Sequence, residues 1–119
     1  MLNLDTHIVL HALRGELFAR ERRLLGREPR SSSAIVLWEI TKLAQLGRVT
    51  IDLDDPDVAD ALGRLPVWPI DLTVCRALRW LDFASEPADE LIAATSLARG
   101  VPLVTRDRRI RRSKLVPLA

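Results

Sequence analysis

Cysteine is almost absent from this chain. Cys75 stands alone, so no internal disulfide framework can form, and with Val74 and Ala77 beside it the thiol reads as a small buried apolar group. Long apolar runs are missing too. No stretch approaches the ~20 residues that a membrane-spanning helix needs, and the N-terminus lacks a basic region followed by an apolar stretch and a small-residue cleavage site. Those absences lead to the expectation of a soluble cytoplasmic protein with no membrane partner. There is no internal repeat, low-complexity segment or interdomain linker, and 119 residues fit one domain spanning 1–119. With 48% hydrophobic and 29% charged residues, the chain can build a core and is not compositionally disordered.

Excess charge is also lacking: the formal net charge is only +2, but the charges are segregated. From Arg106 to Lys114 there are six basic residues and one acid, Asp107. That stretch would attract a polyanion such as RNA, or serve only as a solvated tail. Asp52, Asp54, Asp55, Asp57 and Asp60 make the middle of the chain acidic.

Short apolar strands alternate with helical segments. Met1 to Asp5 reads as a strand, and Thr6 is placed to cap a short helix carrying His7, Leu10, His11 and Leu13. A second helix is expected from about Leu17 to Arg27. Ser31 to Ser33 reads as a brief strand feeding a helix from Ala34 to about Leu46, which Gly47 terminates. A short helix carries Val58, Ala59 and Leu62. Val67 to Leu72 reads as a strand, Thr73 as the cap of a helix reaching Trp80, and Asp89 to Arg99 as a helix ending at Gly100. Val101 to Thr105 is the clearest strand, with Leu115 to Leu118 a short last one. This alternation implies an α/β fold with a central parallel sheet covered by helices on both faces, a three-layer α/β/α domain.

Four acids sit where such a fold places its chemistry. Asp5 and Asp107 each follow an apolar strand, and ligands bind in the crevice beyond the carboxyl ends of parallel strands. Glu39 projects within the apolar arc of its helix, between Ile35 and Leu43, where a carboxylate needs a partner. That partner is either an arginine from elsewhere or a shared cation. Asp89 lies near a helix N-terminus, where the dipole alone would favour it. If the fold gathers all four, mutual repulsion raises their pKa values unless a divalent metal neutralises them.

Other features carry less. His7 and His11 are four apart, but no Cys, third His or adjacent Glu completes a zinc signature. The Asp52 to Asp57 segment lacks the central Gly and final Glu of a calcium loop and reads as a solvated turn. Trp38, Trp68 and Trp80 lie in apolar surroundings and are expected in the core rather than stacked on bases. A phosphoacceptor receiver domain would need an adjacent acidic pair after the first strand, where Asp5 is followed by Thr6 and His7.

The chain resembles the PIN-domain nucleases, and among them the VapC-type toxins of toxin-antitoxin pairs. The resemblance rests on Leu4-Asp5-Thr6-His7, on Ser33 to Ile40 with Leu46-Gly47-Arg48 behind it, on Glu86-Pro87-Ala88-Asp89 through Thr95, and on Leu103-Val104-Thr105-Arg106-Asp107. It covers essentially the whole chain. It implies an endoribonuclease whose acidic pocket binds Mg²⁺ or Mn²⁺ through Asp5, Glu39, Asp89 and Asp107, with Asp5, Glu39 and Asp89 on the principal metal and Thr105 in support. Oxygen ligands of this kind suit hard divalent ions. The resemblance also implies an RNA substrate, a small cognate antitoxin as partner, and a homodimer. Its pattern often runs His-x-Asp-Pro-x-Asp-Arg around the third acid, whereas this chain has Ala84, Glu86 and Glu90 at the variable positions. Glu86 is a weaker helix cap than Asp, and Glu90 is expected to add negative charge beside the pocket. These departures keep open a non-catalytic PIN-like module that only contacts protein or nucleic acid.

Overall fold

The computed structural model describes residues 1–119. Four strands, β1 (Leu2–Leu4), β2 (Arg30–Ser33), β3 (Val67–Trp68) and β4 (Leu103–Val104), form one parallel sheet in the order β3-β2-β1-β4. The helices are α1 (Thr6–Arg14), α2 (Ala19–Arg27), α3 (Ala34–Gln45), α4 (Pro56–Gly63), α5 (Leu72–Ala77), α6 (Pro87–Arg99) and α7 (Arg108–Arg111), with a 3₁₀ turn at Leu78–Trp80. The α/β architecture expected from the alternation is the one observed.

Leu2, Asn3 and Leu4 are all buried, as a strand covered on both faces requires. Leu2 and Leu4 join a core with Ile8, Leu25, Val36, Ile40, Ile92 and Leu103. On the other side of the pleat, Asn3 donates from Nδ2 to Ser96 Oγ at 2.9 Å and to the Ile92 carbonyl at 3.3 Å, tying β1 to α6. Strand β2 is polar in sequence yet buried along Ser31, Ser32 and Ser33. Ser31 meets this cost by donating to the Leu2 carbonyl and accepting from Trp68 Nε1, both at 2.8 Å, while the Ser32 hydroxyl is buried without a partner.

Local chemistry moved several boundaries. Asp5, not Thr6, is the N-cap of α1, accepting from the Thr6 amide, and Asp71, not Thr73, caps α5 by accepting from Val74 N. A carboxylate at the cap position takes the first-turn amides before a hydroxyl one or two residues later can. The expected strands at Val67 to Leu72 and Val101 to Thr105 shrink to two residues each, because Pro66, Pro69 and Pro102 cannot donate to a ladder. Leu115 to Leu118 contributes a single parallel bridge, Leu103 to Leu118.

The tryptophan and cysteine expectations are overturned. Trp38 is 55% and Trp80 66% exposed, and Trp68 is only half-buried. Apolar neighbours in sequence do not share a helix face: Trp38 points away from the side of α3 that buries Val36 and Ile40. Cys75 is exposed for the same reason, while Val74 and Ala77 pack on Ala94 of α6.

Ile92 is fully buried one turn beyond Asp89 on α6. Truncating it to Ala should cost about 3 kcal/mol and to Val about 1 kcal/mol. Urea unfolding checks this: the midpoints should fall in that order with an unchanged denaturant slope.

Candidate functional site

The sheet order reverses at β1, since β2 and β3 lie on one side of it and β4 on the other. Such a switch point leaves a crevice at the carboxyl ends of the two strands that flank it, β1 and β4. Asp5 leaves the end of β1, and Thr105, Arg106 and Asp107 leave the end of β4. Glu39 reaches the crevice from α3 and Asp89 from the first turn of α6. A cavity of about 310 Å³ results, lined by Asp5, His7, Glu39, Glu86, Asp89, Arg106 and Asp107, with no hydrophobic residue among them. All four acids singled out in the sequence therefore meet in one place.

Each carboxylate is held by a short-range donor. Asp5 accepts from Thr6 N at 2.8 Å and from Thr105 Oγ1 at 2.6 Å, and that same threonine oxygen accepts from Asp107 N at 3.0 Å. The Thr6 hydroxyl donates to Glu39 Oε1. The partner that Glu39 required is thus a threonine, not an arginine. Ser85 Oγ donates to Asp89 Oδ2 at 3.0 Å, and Asp107 Oδ1 caps α7 through Ile110 N at 3.0 Å. One oxygen on each of Glu39, Asp89 and Asp107 is left without a protein donor.

Burial pushes the Asp5 carboxyl above its ordinary value of 3.8, against the lowering effect of Thr105, and Asp107 raises it further. Asp89 is raised by burial first, and then by the charges of Asp5, Glu39 and Asp107. The donor set fits a hard divalent cation: every group is a carboxylate oxygen, and the cluster carries charge that burial penalises. No three His, Cys, Asp or Glu side chains converge closely enough to hold an ion as they stand. Like charges free to separate do so, and the threonine and serine ties hold them at the rim of one cavity.

Sequence reasoning missed Glu86 and His7 as lining residues and misplaced Glu90. The Glu90 carboxylate turns back to accept from Ser85 N at 3.2 Å and does not line the cavity. Glu86, the N-cap of α6, makes no side-chain cap bond, so its carboxylate is free to face the cavity. Poor capping ability was the signal for this, since a carboxylate that does not cap is available elsewhere. The paired-histidine zinc alternative fails: His11 faces Glu16 at 3.4 Å, away from exposed His7 at the cavity.

The basic stretch is also divided. Arg106 is consumed by buried Glu21, through Nε to Oε2 at 2.8 Å and Nη2 to Oε1 at 2.7 Å, which lowers the Glu21 pKa. Arg108, Arg109 and Arg112 instead line a second cavity of about 450 Å³ that shares Glu86 and Asp107 with the acidic one.

The PIN-domain family profile matches residues 3–114. The chain belongs to the PIN-domain family. Among solved structures, VapBC2 from Rickettsia felis bound to a DNA fragment from its promoter matches with a TM-score of 0.74 at 20% identity, covering 100% of this chain and 98% of that one. A toxin-antitoxin complex from Klebsiella pneumoniae matches with a TM-score of 0.73 at 18% identity, covering 100% and 97%. FitAcB from Neisseria gonorrhoeae matches with a TM-score of 0.61 at 22% identity, covering 92% and 90%. No curated protein gives a significant sequence match. At these identities the structural likenesses establish the PIN fold.

Because the folded state holds the Asp5 proton more tightly than the unfolded chain does, this group's stabilising contribution is fully present below pH 3.8 and is lost as pH rises through the higher folded pKa. Asp5→Asn removes that loss. Without added metal, its melting temperature at neutral pH should equal or exceed wild type by a few degrees, the scale of about 1 kcal/mol, and the gap should close on acidification. Calorimetric melts at a series of pH values read this directly.

Proposed function

We propose that this PIN domain is a metal-dependent endoribonuclease acting in the cytoplasm as the VapC-type toxin of a toxin-antitoxin pair. The observation that carries the proposal is the meeting of Asp5, Glu39, Asp89 and Asp107, from four separate segments, in one cavity without a hydrophobic residue. Asp5, Glu39 and Asp89 would hold Mg²⁺ or Mn²⁺, with Asp107 as a further ligand or an orienter of water. Bound there, the ion supplies Lewis-acid charge that acidifies water and stabilises negative charge developing on a phosphodiester.

The chain's own groups set the stage for that chemistry. Thr105 and Thr6 orient Asp5 and Glu39 at the rim of one cavity from two different strand ends, and the carboxylates would draw closer together on sharing an ion. Ser85 orients Asp89 in the same way. Arg108, Arg109 and Arg112, beside the shared Glu86 and Asp107, offer charge to the RNA backbone next to the acids. Arg106 lines the acidic cavity but is neutralised by Glu21, so it does not compete with a cation for the carboxylates.

The antitoxin and homodimer belong to the same reading. The Klebsiella neighbour is a toxin-antitoxin complex, and this chain exposes Trp38, Leu46, Leu72 and Trp80, apolar surface of the kind that protein contacts cover.

Single-stranded RNA should be cleaved only with Mg²⁺ or Mn²⁺ present, and Asp5→Asn should reduce the rate by at least 100-fold while the protein stays folded. Full activity in the purified variant would sink the assignment, and RNA binding without any cleavage by wild type would favour the non-catalytic module. Neutralising Arg108, Arg109 and Arg112 together should weaken RNA binding and flatten its salt dependence by up to about three phosphate contacts, leaving Mn²⁺ affinity nearly unchanged. An unaltered salt slope would return these arginines to the role of solvated surface.

A further inference from the structure

Beside the acidic cavity, and distinct from the cleft of Arg108, Arg109 and Arg112, lies a third cavity of about 350 Å³, lined by Phe18, Arg20, Glu21, Thr105, Arg106 and Arg111. Arg106 lines both this cleft and the acidic cavity, so the two adjoin at its side chain. Phe18 is the one hydrophobic residue in it and is 60% exposed. We propose that Phe18 is a nucleobase subsite, stacking a base of single-stranded RNA next to the phosphate that occupies the acidic cavity. The inference rests on the nuclease reading for which phosphate that is.

The ring is held ready rather than left loose. Its backbone amide donates to Glu21 Oε1 at 2.8 Å at the start of α2. The Arg106 guanidinium lies 3.7 Å from the ring centroid. That guanidinium is itself fixed by both Glu21 oxygens and by the Glu16 carbonyl at 3.3 Å. An aromatic ring whose position is already determined stacks a base with little ordering cost, and every base offers a π-face.

Charge selects RNA over a protein segment as the occupant. A groove for an amphipathic helix is lined by several apolar residues, whereas this cleft has one aromatic among arginines. Arg106 is neutralised by Glu21, leaving Arg20 and Arg111 as the charges for a backbone phosphate. An aromatic platform flanked by cations is how single strands are gripped without sequence readout. Of the two clefts that share residues with the acidic cavity, the one with Arg108, Arg109 and Arg112 has no aromatic residue, and the other has Phe18. Any preference among bases therefore belongs to the Phe18 cleft.

The test uses the full chain and short single-stranded RNAs carrying 2-aminopurine at successive positions, first without metal and then with Mn²⁺. Stacking on Phe18 quenches the fluorescence at one position. Phe18→Ala should abolish that quenching and raise KM for cleavage by about 5- to 100-fold, Phe18→Trp should restore both, and Phe18→Leu, which keeps apolar bulk without a π-face, should not. On an RNA with an abasic ribose at the quenched position, wild type and Phe18→Ala should become equal. Cleavage with an unchanged KM in Phe18→Ala, or rescue by Leu, would overturn the base subsite while leaving the nuclease standing. Quenching that depends on Phe18, in a wild-type protein that cleaves nothing, would support the subsite and overturn the nuclease.

Discussion

Everything at the working edge of this molecule follows from holding several carboxylates together beside a buried sheet. Two unit charges ~4 Å apart at an effective dielectric of ~20 repel by about 4 kcal/mol, and a whole domain is stable by only about 5–15 kcal/mol. A cluster pressed into contact would consume much of that margin. The chain instead spaces its acids around one cavity and gives each a neutral donor: Thr105 for Asp5, Thr6 for Glu39, Ser85 for Asp89 and the Ile110 amide for Asp107. Hydroxyls and amides orient a carboxylate without neutralising it, so the charge needed to attract a cation is kept. Glu21 shows the contrast. It is paired to Arg106 by two hydrogen bonds, and its pKa is lowered rather than raised.

The sheet order is what makes this spacing possible. β1 and β4 are neighbours although nearly a hundred residues separate them, so Asp5 and Thr105 meet as the ends of adjacent strands. Burial of Leu2, Leu4 and Leu103 in one core sets the register on which that contact depends. Asn3, on the other face, anchors α6 and with it Asp89. The acidic cavity then shares residues with two clefts of different character, one with three arginines and no aromatic residue, the other with arginines around Phe18.

Much of this could be read from the residues. The four acids were visible because three follow or flank strongly apolar segments, and because Glu39 sits on the wrong side of its helix for a solvated acid. What could not be read was side-chain direction in loops and helix ends. Glu86 and Glu90 flank Asp89 and have the same chemistry, yet the free N-cap acid faces the cavity and the one a turn later folds back onto Ser85 N. The weakness of Glu as an N-cap is the one local hint for Glu86, and none exists for the direction of Glu90. Trp38 and Trp80 were misjudged because apolar sequence neighbours were taken for spatial ones. Strand lengths were overestimated where prolines break the ladder, and the Phe18 cleft depends on a pairing between Glu21 and Arg106, 85 residues apart, that no local pattern announces.

The central claim, that these four carboxylates form one divalent-metal site, is tested most directly by calorimetric titration of the purified chain with Mn²⁺ at neutral pH. The account predicts saturable binding that weakens at least tenfold in Asp5→Asn and in Glu39→Gln, and is unchanged in Glu90→Gln, whose carboxylate faces the backbone instead of the cavity. Wild-type protein that takes up no Mn²⁺ at millimolar concentration, or that loses its affinity equally in Glu90→Gln, would contradict it.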